Sequence, residues 1–494
     1  MSQIARIALA DLQARTRSFA FLIVAALALQ FAYLFVPDAH AGYLTVSVGG
    51  TRGIYNAAWL GALNALCSVL ILGFVGFYVV RDAVLRDERA GCAGIVAASP
   101  VSRVAFIAGK WTSNVAILGF VATVLLAGAM VMQQVRAEDR AFDALAYAAP
   151  FVFVVVPACA VIAALAVLFD TVRPLRGVWG SVLWFFVVSF AIEFPLMAWT
   201  KSGAASPLDA LGLTTLIAGM TTSLQAAFPG AKLSGLTIGV SNYVRAPQTF
   251  VWHGMAWTGV LIAARLVWAA IAVGIVGLAS LAFNRSAYSG ARVGTRRRTA
   301  IGRFVPDIPG LRLLRAEASI LFAESGWWWT IAAVTVGLVG FFVPQSALLG
   351  FVLPVALLVP LGKYGALGTR DRADGVDELL LSAPRAATRT IAARILAAGL
   401  IGCIPLAGAI VRLPALAIVP FAAAALAIVI GRLSGTPRAF EAMYLAVWYA
   451  GALNHVPVVD LGADALVTPA VLTLVAGSAL AIASATARFR LRRT

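Results

Sequence analysis

Charge is scarce in this sequence. Only 12% of its 494 residues are Asp, Glu, Lys or Arg, against about 25% in an ordinary soluble chain, which excludes a water-soluble globular fold. Cysteine is equally sparse. Cys67, Cys92, Cys159 and Cys403 lie in or beside apolar runs at no metal-binding spacing, so they read as small buried hydrophobes rather than disulfides or ligands. Catalytic signatures are missing as well. Gly109-Lys110 and Gly362-Lys363 lack both the spacing and the following Ser or Thr of a phosphate-binding loop. There is no HExxH, no nucleophile elbow and no Cys/His cluster. His40, His253 and His455 are scattered and fall on one expected side, the outer one. No small-residue cleavage pattern follows the first apolar run, so no cleavable signal peptide is expected. These absences point away from an enzyme and predict no catalytic residue, no metal and no cofactor held by this chain.

What the sequence has in abundance is apolar surface. Hydrophobic residues make up 61% of it, and the mean hydropathy is +0.92. Apolar stretches of about 20 residues, enough to cross a bilayer core of about 30 Å, recur throughout. The predicted class is an all-α polytopic membrane protein. The net charge of +17 sits mostly in short loops on alternate sides of the apolar runs. That is the positive-inside pattern, and it implies contact with anionic lipid headgroups rather than nucleic acid.

The order of segments predicts about twelve spans with both termini cytoplasmic. Residues 1–17 place Ile4, Ile7, Ala8 and Leu12 on one helical face, as expected of an amphipathic helix at the interface. Spans follow at 18–36, 57–80, 112–132, 148–169, 179–198 and 255–283. The segment 211–228 is too polar and short to cross, and is expected as a re-entrant or interfacial helix on the outer side. A second set reads 327–343, 347–368, 391–411, 413–431, 439–455 and 468–487, preceded by another amphipathic stretch at 310–326. The expected organisation is therefore two repeated six-span halves, 1–283 and 311–494, joined by a basic cytoplasmic linker at 284–310.

The repeat is most legible in the polar interval Arg81–Asn114. Displacing the chain by 284 positions sets Arg86-Asp87 on Arg370-Asp371, Gly91 on Gly375, Pro100 on Pro384 and Lys110 on Arg394. Both copies keep acids among the arginines, Asp87 and Glu88 in one, Asp371, Asp374, Asp377 and Glu378 in the other, which topology alone does not need. A short helix over 82–90, interrupted at Gly91 and closed by Ser99-Pro100, suits docking of a soluble partner. Within the spans only Glu193 and Arg265 stand out as ionisable; their depths are compatible with a pair.

The amphipathic first helix, the six spans and the run Glu88, Gly91, Ser99-Pro100, Ser102-Arg103 and Gly109-Lys110 resemble a type-2 ABC exporter permease. The resemblance covers the first half. The second keeps Arg370-Asp371, Gly375 and Pro384, lacks the Ser-Arg and Gly-Lys pairs, and has a short outer loop at 456–467. It implies two permease modules fused in one chain, a pathway between the two halves, and separate soluble ATPase subunits that carry ATP-Mg and dock on the cytoplasmic loops. The aliphatic and aromatic spans, with little fixed charge, are compatible with a hydrophobic or amphipathic small substrate. Arg86, Asp87, Glu88, Arg103, Arg370, Asp371 and Asp374 are the expected coupling residues, and a bacterial inner membrane the expected location. The alternative is a twelve-span carrier driven by an ion gradient, in which two halves rock around a central site.

Overall fold

A computed structural model describes residues 2–38, 42–230, 236–243, 247–284, 312–323, 327–376 and 386–453. All but the first residue of the expected linker 284–310, the loop 456–467, the expected last span, His40, His455, Asp377, Glu378 and Pro384 lie outside the described residues. The chain forms two compact units, Met1–Arg176 with Leu183–Gly290, and Gly177–Val182 with Ala291–Thr494.

The first unit opens with α1 (Gln3–Thr16), started by the Ser2 hydroxyl, which accepts the Ala5 N–H. The chain then turns through 79° into α2 (Phe19–Phe35). Next come α3 (Ala57–Ile71), a π turn over Leu72–Gly76 and α4 (Phe77–Val80). The polar interval folds as two short helices, α5 (Ala83–Arg89) and α6 (Ala93–Ala98), before the 34-residue α7 (Arg103–Arg136). The helix expected over 112–132 thus begins at Arg103, because Ser102 caps it and nothing between Arg103 and Lys110 breaks helical geometry. There follow α8 (Ala144–Pro150), α9 (Val156–Thr171), α10 (Val178–Ser202, whose first turn belongs to the second unit), α11 (Leu213–Ala227) and α12 (Gly259–Ala282).

Two short strand pairs lie in stretches between the expected spans. Strand β1 (Tyr43–Ser47) runs antiparallel to β3 (Thr237–Asn242), and β2 (Arg52–Gly53) parallel to β4 (Thr249–Phe250). Tyr, Thr and Val suit extended backbone, and Gly49 and Gly50, both at positive φ, make the turn after β1. The partners of each pair are far apart in the chain, a pairing that no local pattern announces.

The second unit contains α13 (Arg312–Ala323), α14 (Trp327–Phe342), α15 (Gln345–Ala347), α16 (Leu353–Leu358), α17 (Leu361–Tyr364) and α18 (Arg370–Ala373). It continues with α19 (Ala386–Arg412), α20 (Val419–Ser434) and α21 (Pro437–Trp448). Helices α13 and α14 lie at 101° to each other. Among the described residues, eight helices are long and apolar enough to cross a membrane, or ten if each bent pair counts as one span. The chain is a helical, polytopic integral membrane protein. The eleventh expected span, 439–455, falls on α21 and the π turn Tyr449–Leu453 behind it, and that stretch is not among those helices.

Packing in the first unit centres on α7. Buried Phe106 and Ile107 meet Val161, Ala164 and Val167 of α9 and Ala272, Val276 and Ala279 of α12, and Val84 of α5 and Ala93 of α6 close the same core. Small residues bring the other helices close. A Cβ on Gly109 would lie 2.7 Å from Ile7 Cγ2, and one on Gly128 would lie 2.4 Å from Ala32 Cβ. Gly109→Val is therefore expected to force α1 off α7 and cost about 1–3 kcal/mol. A tryptophan-fluorescence melt in detergent should show a loss of several degrees, while Gly119→Ala, with open space around it, leaves the midpoint in place.

Candidate functional site

The polar interval is tied to its unit by charge. Asp11 on α1, Asp87 on α5 and Lys110 on α7 converge: the Lys110 ammonium lies 2.8 Å from Asp11 Oδ1 and 2.8 Å from Asp87 Oδ2. Ser113, one turn along α7, donates its hydroxyl to Asp11 Oδ2 at 2.7 Å, and Arg15 Nη2 stands 2.7 Å from the same oxygen. Lys110 and Asp11 are almost wholly enclosed, whereas the Asp87 side chain keeps 25% exposure. Burial opposes ionisation of Asp11, but Arg15 and Lys110 outweigh it and hold its carboxyl below the usual range. Burial, then repulsion from Arg86, pushes the Arg15 guanidinium down to about 10.

Three further contacts set α5 in place. The Asp170 carboxylate, from the last turn of α9, accepts the Asp82 N–H at 3.0 Å and the Val84 N–H at 3.3 Å. Arg176 Nη1 approaches Glu88 Oε2 at 3.9 Å. Gly91, at φ 74, ends the helix, with the Cys92 N–H donating to the Asp87 carbonyl at 2.9 Å.

The second unit holds a like arrangement with different residue types. Arg394 of α19 is bidentate on Asp371, Nη2–Oδ1 2.8 Å and Nη1–Oδ2 2.9 Å. It also reaches Glu317 of α13, Nη2–Oε1 3.1 Å. Arg370 pairs with the other Glu317 oxygen. Gly375, at φ 68, ends α18, and the Val376 N–H donates to the Asp371 carbonyl at 3.0 Å. Each unit therefore has an acid from its leading helix and an acid from its polar interval, both on one cation near the start of a long helix. A second parallel lies at the far ends of those helices. Arg136 donates to the carbonyls of Tyr33 and Val36, and Arg412 to those of Phe341 and Val343. A cation at a helix C-terminus meets exposed carbonyls and the negative end of the dipole.

The other expected residues fall in varied places. Arg86 is half-buried on α5, and Pro100 and Arg103 are exposed. The Ser99 hydroxyl donates to the Val96 carbonyl at 2.8 Å, and Asp374 and Gly375 are exposed. Glu193 and Arg265, whose depths allowed a pair, do not form one: Glu193 is exposed on α10, and Arg265 Nη2 donates to the Asp209 carbonyl at 2.6 Å. Asp209 is buried and held at the N-terminus of α11, where its carboxylate accepts the Gly212 and Thr214 N–H groups at 2.7 and 2.6 Å. His253 is exposed.

Asp11, Glu317, Asp170 and Asp209 were not singled out from sequence, and neither was a buried group in the second unit. There Arg438 Nη1 donates to Glu441 Oε2 at 2.7 Å and to Ser181 Oγ at 3.3 Å, and Ser181 donates to Glu441. The Glu441 signal was available, as an acid three residues from an Arg at the head of an apolar run. No protein-family description matches the chain, and no curated protein or solved structure matches it either.

Lys110→Met should be strongly destabilising, by about 3–5 kcal/mol, since it leaves Asp11 buried without its lysine partner, while Lys110→Arg retains most of the stability. The Asp11 contribution is complete above the ordinary carboxylate value of 3.8 and is lost as pH falls through the lower value of the folded state. Melts of wild type and Lys110→Met should accordingly converge on acidification below about pH 4.

Proposed function

We propose that this chain is the membrane subunit of an ATP-driven exporter, two fused permease modules of the type-2 ABC kind in a bacterial inner membrane. The observation that carries the reading is the recurrence, under both polar intervals, of one acid–cation–acid arrangement. It makes each interval, its leading helix and the following long helix into a single mechanical piece. A push on α5 and α6 then reaches α1 and α7 without being absorbed by loop motion. On this reading separate ATPase subunits supply that push from the cytoplasmic side, ATP-Mg is bound in them, and the apolar spans pass a hydrophobic or amphipathic small substrate.

The geometry also redistributes the work among the coupling residues. Asp87, Arg370 and Asp371 point their charge inward, so they transmit, and the residues free to meet a partner are others. Ile95 on α6 is 73% exposed and Val104 is 57% exposed, with exposed Arg103 between them in sequence. An apolar cleft with an acidic rim fits that surface.

One observation favours the gradient-driven alternative. Glu441, buried with Arg438 and Ser181 in an apolar helix, is the kind of acid such a carrier uses for ion coupling. The two readings part in one experiment. Mild-detergent purification of the tagged chain from its own membrane, followed by mass spectrometry, is expected to yield a stoichiometric soluble protein with a phosphate-binding loop. Ile95→Glu and Arg103→Glu should each release it while leaving the melting midpoint of the chain unchanged. A chain that emerges alone even after cross-linking, and whose transport collapses with an uncoupler, overturns the ATP-driven reading in favour of the carrier.

A further inference from the structure

We infer that the Arg81–Asp82 junction is a strained hinge about which α5 swings once its Asp87–Lys110 tie opens, and that the Asp170 carboxylate is the catch that holds it closed. This goes beyond the docking reading and stands without it, because it concerns the first unit alone.

The strain is local and visible. Asp82 has φ 63 and ψ 20, and among the described residues no other side-chain-bearing residue has a positive φ. The left-handed region disfavours a residue that carries a Cβ, Asp less than most, and it persists only where the surroundings over-determine it. Here they do. Arg81 ends α4 in an extended conformation, and the chain re-enters a helix at once. Asp170 then takes the Asp82 and Val84 N–H groups, donors that the start of a helix leaves without intrahelical partners. A carboxylate at that end is also favoured by the helix dipole. The catch is rigidly mounted, since Val161, Ala164 and Val167 of the same helix lie in the unit's core.

Beyond the hinge the ties thin out. Of α5 and α6, Ala83, Val84 and Ala93 are buried in the core, Asp87 keeps partial exposure, and the Glu88 contact is long. The second unit enters its own short helix differently. Its helix start at Thr369 has φ −115, and Gly368 packs so closely that a Cβ there would lie 2.5 Å from the Ile428 carbonyl. That entry is locked by contact rather than strained.

Cys92, exposed just past α5, is a native reporter, because Cys67 and Cys159 are buried and Cys403 is half-buried. A nitroxide on Cys92 of the full chain in detergent, with Cys92→Ser as background, should give a spectrum dominated by an immobilised component. Asp170→Asn is expected to raise the mobile component severalfold. Asp82→Gly removes the left-handed cost from the closed state and is expected to lower it roughly two- to fivefold. Unchanged spectra in both variants overturn the proposal, and so does a rise in the mobile component with Asp82→Gly. If Asp170→Asn fails to fold, the direction of the Asp82→Gly change decides alone.

Discussion

An enclosed ammonium or guanidinium is tolerable only when carboxylates surround it, and that constraint organises both units of this chain. Lys110 and Arg394 each stand near the start of a long apolar helix, at positions where an unpaired cation would be expelled. Each is met from two directions, by a leading helix and by a polar interval. The pairing fixes the angle at which the leading helix departs, sets the polar interval against the helix bundle, and leaves Ile95 of α6 exposed. What a partner could grasp there is therefore attached through a buried charge.

The two clamps are not equivalent. A lysine offers one charged point, shared between Asp11 and Asp87, whereas Arg394 engages Asp371 with two parallel bonds and Glu317 with a third. The guanidinium fork fixes orientation as well as distance. Add the left-handed Asp82 in one unit and the close-packed Gly368 in the other, and the first unit has the more deformable attachment. Two units with one stiff and one yielding attachment would respond unequally to the same push.

Much of this was legible in the sequence, and the limits were physical. The apolar runs located the helices because a bilayer-length hydrophobic stretch has few other folds open to it. The 284-residue displacement aligned Asp87 with Asp371 and Lys110 with Arg394, and those residues do contact one another within each unit. The third members, Asp11 and Glu317, escaped notice. Each sits on an amphipathic helix among other charges, and a helical wheel does not say which charge turns inward when the helix is laid against a neighbour. Glu193 and Arg265 show the converse limit. Similar depth allowed a pair, but a buried Arg seeks the strongest nearby acceptor, and the carbonyl of Asp209 was close in space though far in sequence. The strand pairs were hidden for the same reason, since their partners are joined only by the fold.

The central claim is that α1, α5 and α7 form one piece through Lys110. Hydrogen–deuterium exchange of the Lys110→Met chain against wild type tests it most directly. The account predicts that amides of α1 and α5 lose protection together and to a similar extent, while the middle of α7 keeps its own. Loss confined to α5, with α1 as protected as before, would show that the leading helix is held by its apolar face alone, and the clamp would lose its role in joining them.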